Sequence, residues 1–125
     1  MRQGRDLRRG CQSVTRRDQE WLTDIEVAIE AISDYVANGD LHEGVVYDAC
    51  RARLMEIAEA VKHVDSDLLA GEPDVAWNQI ARMRDILVHH YHDTDFAVVE
   101  SVIVERLPSL REAVVRLESI GGNSQ

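Results

Sequence analysis

The apolar residues of this chain recur at three- and four-residue steps in four separate runs, and nowhere do they alternate in the two-residue rhythm of a half-buried strand. From Asp18, the residues Trp21, Ile25, Ala28, Ile29, Ile32, Tyr35 and Val36 share one helical face, and the run stops at "NGD", where Asn38-Gly39 offers a C-terminal stop. A second run from about Glu43 to Val64 carries Val46, Ala49, Cys50, Leu54, Ile57, Ala58 and Val61 on one stripe. The segment "DSDLLAGEP" reads as a loop, after which Asp74 can cap a third helix through Trp77, Ile80, Met83 and Leu87. Asp95 can cap a fourth, with Phe96, Val99, Ile103, Leu107, Leu110, Val114 and Leu117 inward. Pro108 should kink that last helix near Val104 or Leu107, because proline removes a helical donor and crowds the preceding turn. Four amphipathic helices joined by short loops predict an all-α fold, an antiparallel four-helix bundle.

At 125 residues the chain is long enough for one core and needs no disulfide to hold it. Its two cysteines, Cys11 and Cys50, lie far apart and resemble no disulfide framework or zinc-ligand spacing, which fits a reducing, cytoplasmic setting. No run approaches the roughly 18 apolar residues of a membrane span. Arg2, Arg5, Arg8, Arg9, Arg16 and Arg17 crowd the start, and residues 1–15 read as a disordered, arginine-rich leader to a domain at 16–119, with 120–125 a flexible tail. From Asp18 onward eight basic residues face 22 acidic ones, an excess that repels polyanions and argues against sequence-blind binding of DNA or RNA. Nucleic-acid chemistry in such a chain needs a local cationic site.

One such site is available in "MRDILVHHYHDTD", residues 83–95, which gathers an arginine, three histidines and a tyrosine at what reads as a helix end. Either these groups do chemistry or they are a polar helix terminus. Stepping about 100° per residue, Arg84 and Tyr91 fall inside the arc set by Trp77, Ile80, Leu87 and Val88, so Arg84 is expected on the buried side with a partner for its charge. His89 lies about 140° from Arg84 on a straight helix, so the two can meet only if the helix ends or unwinds near them, or across a symmetric dimer axis. His89, His90, His92 and Asp93 could ligate a divalent ion, but their spacing fits no common site, and no metal is expected. His42 and His63 read as solvated, and the two tryptophans as core or subunit contacts.

The order Arg84, four residues, His89, one residue, Tyr91, then Asp95, preceded by Met83 and followed by "RLPSLREAV", resembles the signature of the HepT-like branch of the HEPN superfamily. "WLTDIEVAIEAISDYV" is similar to that family's first helix, "RLMEIAEAVKHV" to its second, and "AWNQIARMRDILVHHYHDTD" to its motif helix, so the likeness runs from about Asp18 to Leu117. Asp85 stands where asparagine is frequent, and His90 where a small or acidic residue is common. The resemblance implies a HEPN-type helical bundle that forms a homodimer around one cleft. It implies a metal-independent ribonuclease, the toxin of a toxin–antitoxin pair, needing no cofactor, acting on RNA and not DNA. The implied partner is a minimal nucleotidyltransferase antitoxin of the MntA type, which transfers AMP to the motif tyrosine, here Tyr91. In that scheme Arg84 and His89 are catalytic: arginine's planar fork can hold phosphate oxygens, and histidine titrates near neutrality. Asp85 and His90 are supporting candidates. The rival expectation is a catalytically silent dimeric adaptor that binds a nucleotidyltransferase or a nucleotide.

Overall fold

A computed structural model describes residues 14–89 and 92–123, with side chains outside the description at 89, 92–95 and 121–123. The order is α1 (Arg16–Asn38), α2 (Gly44–His63), α3 (Ser66–Leu69), α4 (Trp77–His89), α5 (His92–Ser101), a π-helical segment (Val102–Arg106) and α6 (Leu107–Asn123). The described residues contain no strand, as the periodicity requires. Among them no helix is long and apolar enough to cross a membrane. The leader expected at residues 1–15 falls outside the description as far as residue 13, and α6 carries through to Asn123.

The first helix starts where Thr15 accepts the Asp18 amide at 3.0 Å, filling one of the donors a helix start leaves unpaired. It stops at Gly39, whose φ of −154° is extended, so freedom at positive φ is not what selects glycine here. Space is: a Cβ at Gly39 would sit 2.8 Å from Cγ2 of Val46, so any larger residue would have to push that side chain aside. Asp18, buried in the first turn of α1, accepts the Asp65 amide at 3.1 Å and ties that end of α1 to the far end of α2.

Helix α2 packs against α1, α4 and α5, while α6 returns along α1. The core draws Leu22, Ile25, Ile29 and Ile32 from α1 and Cys50, Leu54, Ile57 and Val61 from α2. It adds Ile80, Met83 and Leu87 from α4 and Val99, Leu110, Val114 and Leu117 from the last two helices. Phe96 and Ile103, expected inward, are only partly buried against it.

Three local expectations need correction. The loop "DSDLLAGEP" contains the short helix α3, capped by Asp65 accepting the Asp67 amide at 2.9 Å. Asp74 does not cap α4, which begins at Trp77: the Trp77 indole donates to the Glu72 carbonyl at 3.0 Å and its amide to Val75, so residues 72–76 are spent in a turn. Asp95 is likewise interior, because α5 already starts at His92. The disturbance expected from Pro108 is present as the π-helical segment, where the Leu107 amide reaches back five residues to the Val102 carbonyl. A proline at 108 cannot supply a helical donor, and the looser turn before it accommodates the ring.

Between α1 and α6, Thr23 donates to the Glu118 carboxylate at 3.3 Å, and Glu26 and Glu30 lie close by. Partial burial, followed by the hydrogen bond and negative charge of Glu26, pushes the Glu118 carboxyl up to about 7. The folded chain thus favours protonated Glu118, so this contribution to stability is complete below the unfolded value of 4.5 and is lost as pH rises through about 7. Melting temperatures at pH 5 and pH 8 should show a larger fall in the native chain than in Glu118→Gln. Equal falls would show that this contact has no such role.

Candidate functional site

The motif region lies where α4 ends and α5 begins. The two helices run antiparallel: Ile80 and Met83 of α4 share a groove with Val98 and Val102, and farther back Asp74 and Ile80 share one with Arg106. α4 is unbroken from Arg84 to His89, so the change of direction between the two helices does not by itself close the angle of about 140° between these residues. His89 is the last residue of α4. Its side chain, together with His90 and Tyr91, lies outside the described residues, as do the side chains of His92, Asp93 and Asp95.

The expected burial of Arg84 is overturned, since Arg84 is exposed. Among the described side chains of α4, Ile80, Met83 and Leu87 are buried, while Val88, at 45% exposure, faces outward. Met83 pulls the centre of the inward face away from Trp77 and Val88, which leaves Arg84 on its flank. Asp85 is also exposed.

Arg84 borders an open groove of about 610 Å³ that runs over α2 and is also lined by Trp21, Asp24, Arg53, Glu56 and Glu59. Most of these charges already have partners. Arg53 donates to Glu56 at 3.0 Å and to the Tyr35 hydroxyl at 3.3 Å. Glu59 meets His63 at 3.0 Å, and His63 stacks on Trp21 with ring centroids 4.6 Å apart. The His63 hydrogen bond, then the positive charges of His63, Lys62 and Arg84, holds the Glu59 carboxyl below its usual range. Arg84 itself has no hydrogen bond or ion pair among the described residues. It is an exposed guanidinium whose charge acts on Glu59 across the groove.

His63 and His42, expected to be simply solvated, are exposed but engaged. His42 pairs with Asp40 at 3.1 Å and leans on Phe96 with centroids 4.8 Å apart. Phe96 in turn stacks on Tyr47 of α2 at 5.9 Å, which fixes the chain where it leaves the motif. Neither contact carries a sequence signal, since His42 and Phe96 lie 54 positions apart in different runs.

A family model described as "Ribonuclease HepT-like" matches residues 25–117. A protein of Thermococcus cleftensis named "Probable ribonuclease HepT" is 32% identical over 100 residues, covering 77% of this chain and 91% of its own length. One of Methanocaldococcus jannaschii named "Putative RNase MJ0127" is 26% identical over 105 residues, covering 83% of this chain and 87% of its own. No solved structure matches the chain.

Proposed function

Because the chain belongs to the ribonuclease HepT-like family, we propose that it is an endoribonuclease in which Arg84 holds the scissile phosphate and His89 moves the proton. The observation that carries this reading is Arg84 itself, exposed and unpaired among the described residues, five positions before a histidine that ends its helix. RNA supplies its own nucleophile. As the 2′-oxygen bonds to phosphorus and the bond to the 5′-oxygen breaks, one proton leaves the 2′-hydroxyl and one joins the departing oxygen. Histidine is the side chain whose ordinary pKa suits either transfer near neutrality. Charge gathers on the phosphoryl oxygens during attack, and a guanidinium that stays protonated can bind two of them. These two side chains supply the charge and the proton transfer, so the reading calls for no metal.

The same reading makes the active species a homodimer. In one chain the groove beside Arg84 is lined by Asp24, Glu56 and Glu59 against Arg53 and Arg84, a poor surface for a polyanion. A two-fold partner that brings a second Arg84 would change that balance, and exposed Val88, one turn beyond Arg84, gives such an interface an apolar contact. Expressed alone, the chain should slow growth, and Arg84→Ala or His89→Ala should relieve the effect while leaving the helical circular-dichroism spectrum unchanged. If the native chain and His89→Ala are equally harmless, the silent-adaptor reading, which the acidic surface favours, replaces this one.

In this scheme the chain is the toxin of a pair, restrained by a minimal nucleotidyltransferase that transfers AMP to Tyr91. A phenol with an ordinary pKa near 10 is a poor nucleophile at neutrality, so the transfer requires an enzyme that binds ATP and activates the oxygen. An added phosphodiester close in sequence to Arg84 would compete for the guanidinium that the RNA phosphate needs. Co-expression with the nucleotidyltransferase should add one or more AMP masses to the intact chain, and Tyr91→Phe should abolish the addition. Neutralisation of an unmodified chain would point to inhibition by binding alone.

A further inference from the structure

The motif segment is bracketed by two contacts made by neighbouring turns of α2. On the entering side, the Arg51 guanidinium donates to the Leu87 carbonyl. On the leaving side, the ring of Tyr47, four residues earlier on α2, stacks on Phe96 at the 5.9 Å separation given above. Residues four apart on a helix lie one above the other, so a single face of α2 holds both ends of residues 88–95.

The Arg51 contact is chemically specific. With α4 ending at His89, the Leu87 oxygen is among the last four carbonyls of the helix, which have no donor within it. Arginine side chains satisfy such oxygens well, because they bring both N–H groups and a positive charge to the negative end of the helix. Leu87 is thereby held twice, by its fully buried side chain in the core and by its oxygen on Arg51. It stands three residues after Arg84 and two before His89, in the part of the helix that sets the angle between them. No glycine or proline occurs between Ile86 and Asp95 to fix a helix end by backbone preference alone.

We propose that Arg51 is a positioning residue for the ribonuclease reaction, fixing the last turn of α4 so that His89 is presented correctly to a phosphate held by Arg84. This rests on the ribonuclease reading. Arg51 need not touch RNA; it acts through the Leu87 carbonyl, and loosening it should slow chemistry without weakening substrate binding. Small misplacements of a catalytic group can cost about 100-fold in rate.

The test uses the full chain with Arg51→Met, which keeps an apolar stem, and Arg51→Lys, which keeps a cationic donor. Hydrogen–deuterium exchange should quicken in the last turn of α4 in Arg51→Met while the interiors of α1 and α2 keep native rates. With a defined RNA, Arg51→Met should lower kcat about 10- to 100-fold at unchanged KM, and Arg51→Lys should recover most of the loss. Native exchange at the end of α4, native kcat, or a loss confined to KM would each overturn the proposal. Should Arg51→Met fail to fold, Arg51→Gln, which lacks the charge, is read in its place: quicker exchange at the end of α4 with a lower kcat supports the proposal, and native exchange, native kcat or a loss in KM alone overturns it. If the native chain cleaves no RNA, the ribonuclease reading fails instead, and the exchange measurement still reports whether Arg51 holds the helix end.

Discussion

Helix α2 has to be buried from several sides at once, and the other elements are arranged by that requirement. Seven of its residues, Tyr47, Cys50, Leu54, Ile57, Ala58, Ala60 and Val61, are buried, too many for one neighbour to cover. Helices α1, α4 and α5 each take a share. Ala58 and Ala60 keep the helix narrow where its neighbours approach, and each large side chain removed from water contributes on the order of 2 kcal/mol. α5, lying antiparallel to α4, also meets α2.

That coupling anchors the described residues on either side of the histidine-rich segment. Leu87 enters the core just before the segment and Val99 just after it, and Arg51 and Tyr47 hold the backbone and the ring closer in. Arg84 stays outside, on the flank of α4, where its charge costs little and remains available. A buried arginine would have needed a carboxylate partner and would have been spent on it. The exposed position suits a group whose proposed task is to bind an anion that comes and goes.

Much of this was legible in the sequence. The first two helices follow from their apolar stripes to within about two residues, because long periodic runs leave little choice of face. Pro108 announced the irregular turn before it, since the missing donor and the ring clash are local facts. α3 went unread because four residues are too few to show a period, although Asp65 two places before Asp67 is a capping signal. The inward side of α4 departs from its apolar arc because Trp77 and Val88 are apolar yet peripheral, whereas Met83 goes inward. Nothing in the local sequence marks Arg51, which looks like any charged residue in an amphipathic helix. Its partner is a carbonyl 36 positions away, and backbone acceptors leave no trace in a residue pattern.

On the proposed function, this acidic helical chain carries out RNA chemistry with its own arginine and histidine. The most direct test is incubation of the purified chain with an end-labelled RNA and with the DNA of the same sequence, each in the presence of excess EDTA. The RNA should be cleaved at discrete positions and the DNA left intact, because only the RNA carries the 2′-hydroxyl that attacks. Intact RNA, cleavage that EDTA abolishes, or equal cleavage of the DNA would contradict that reading.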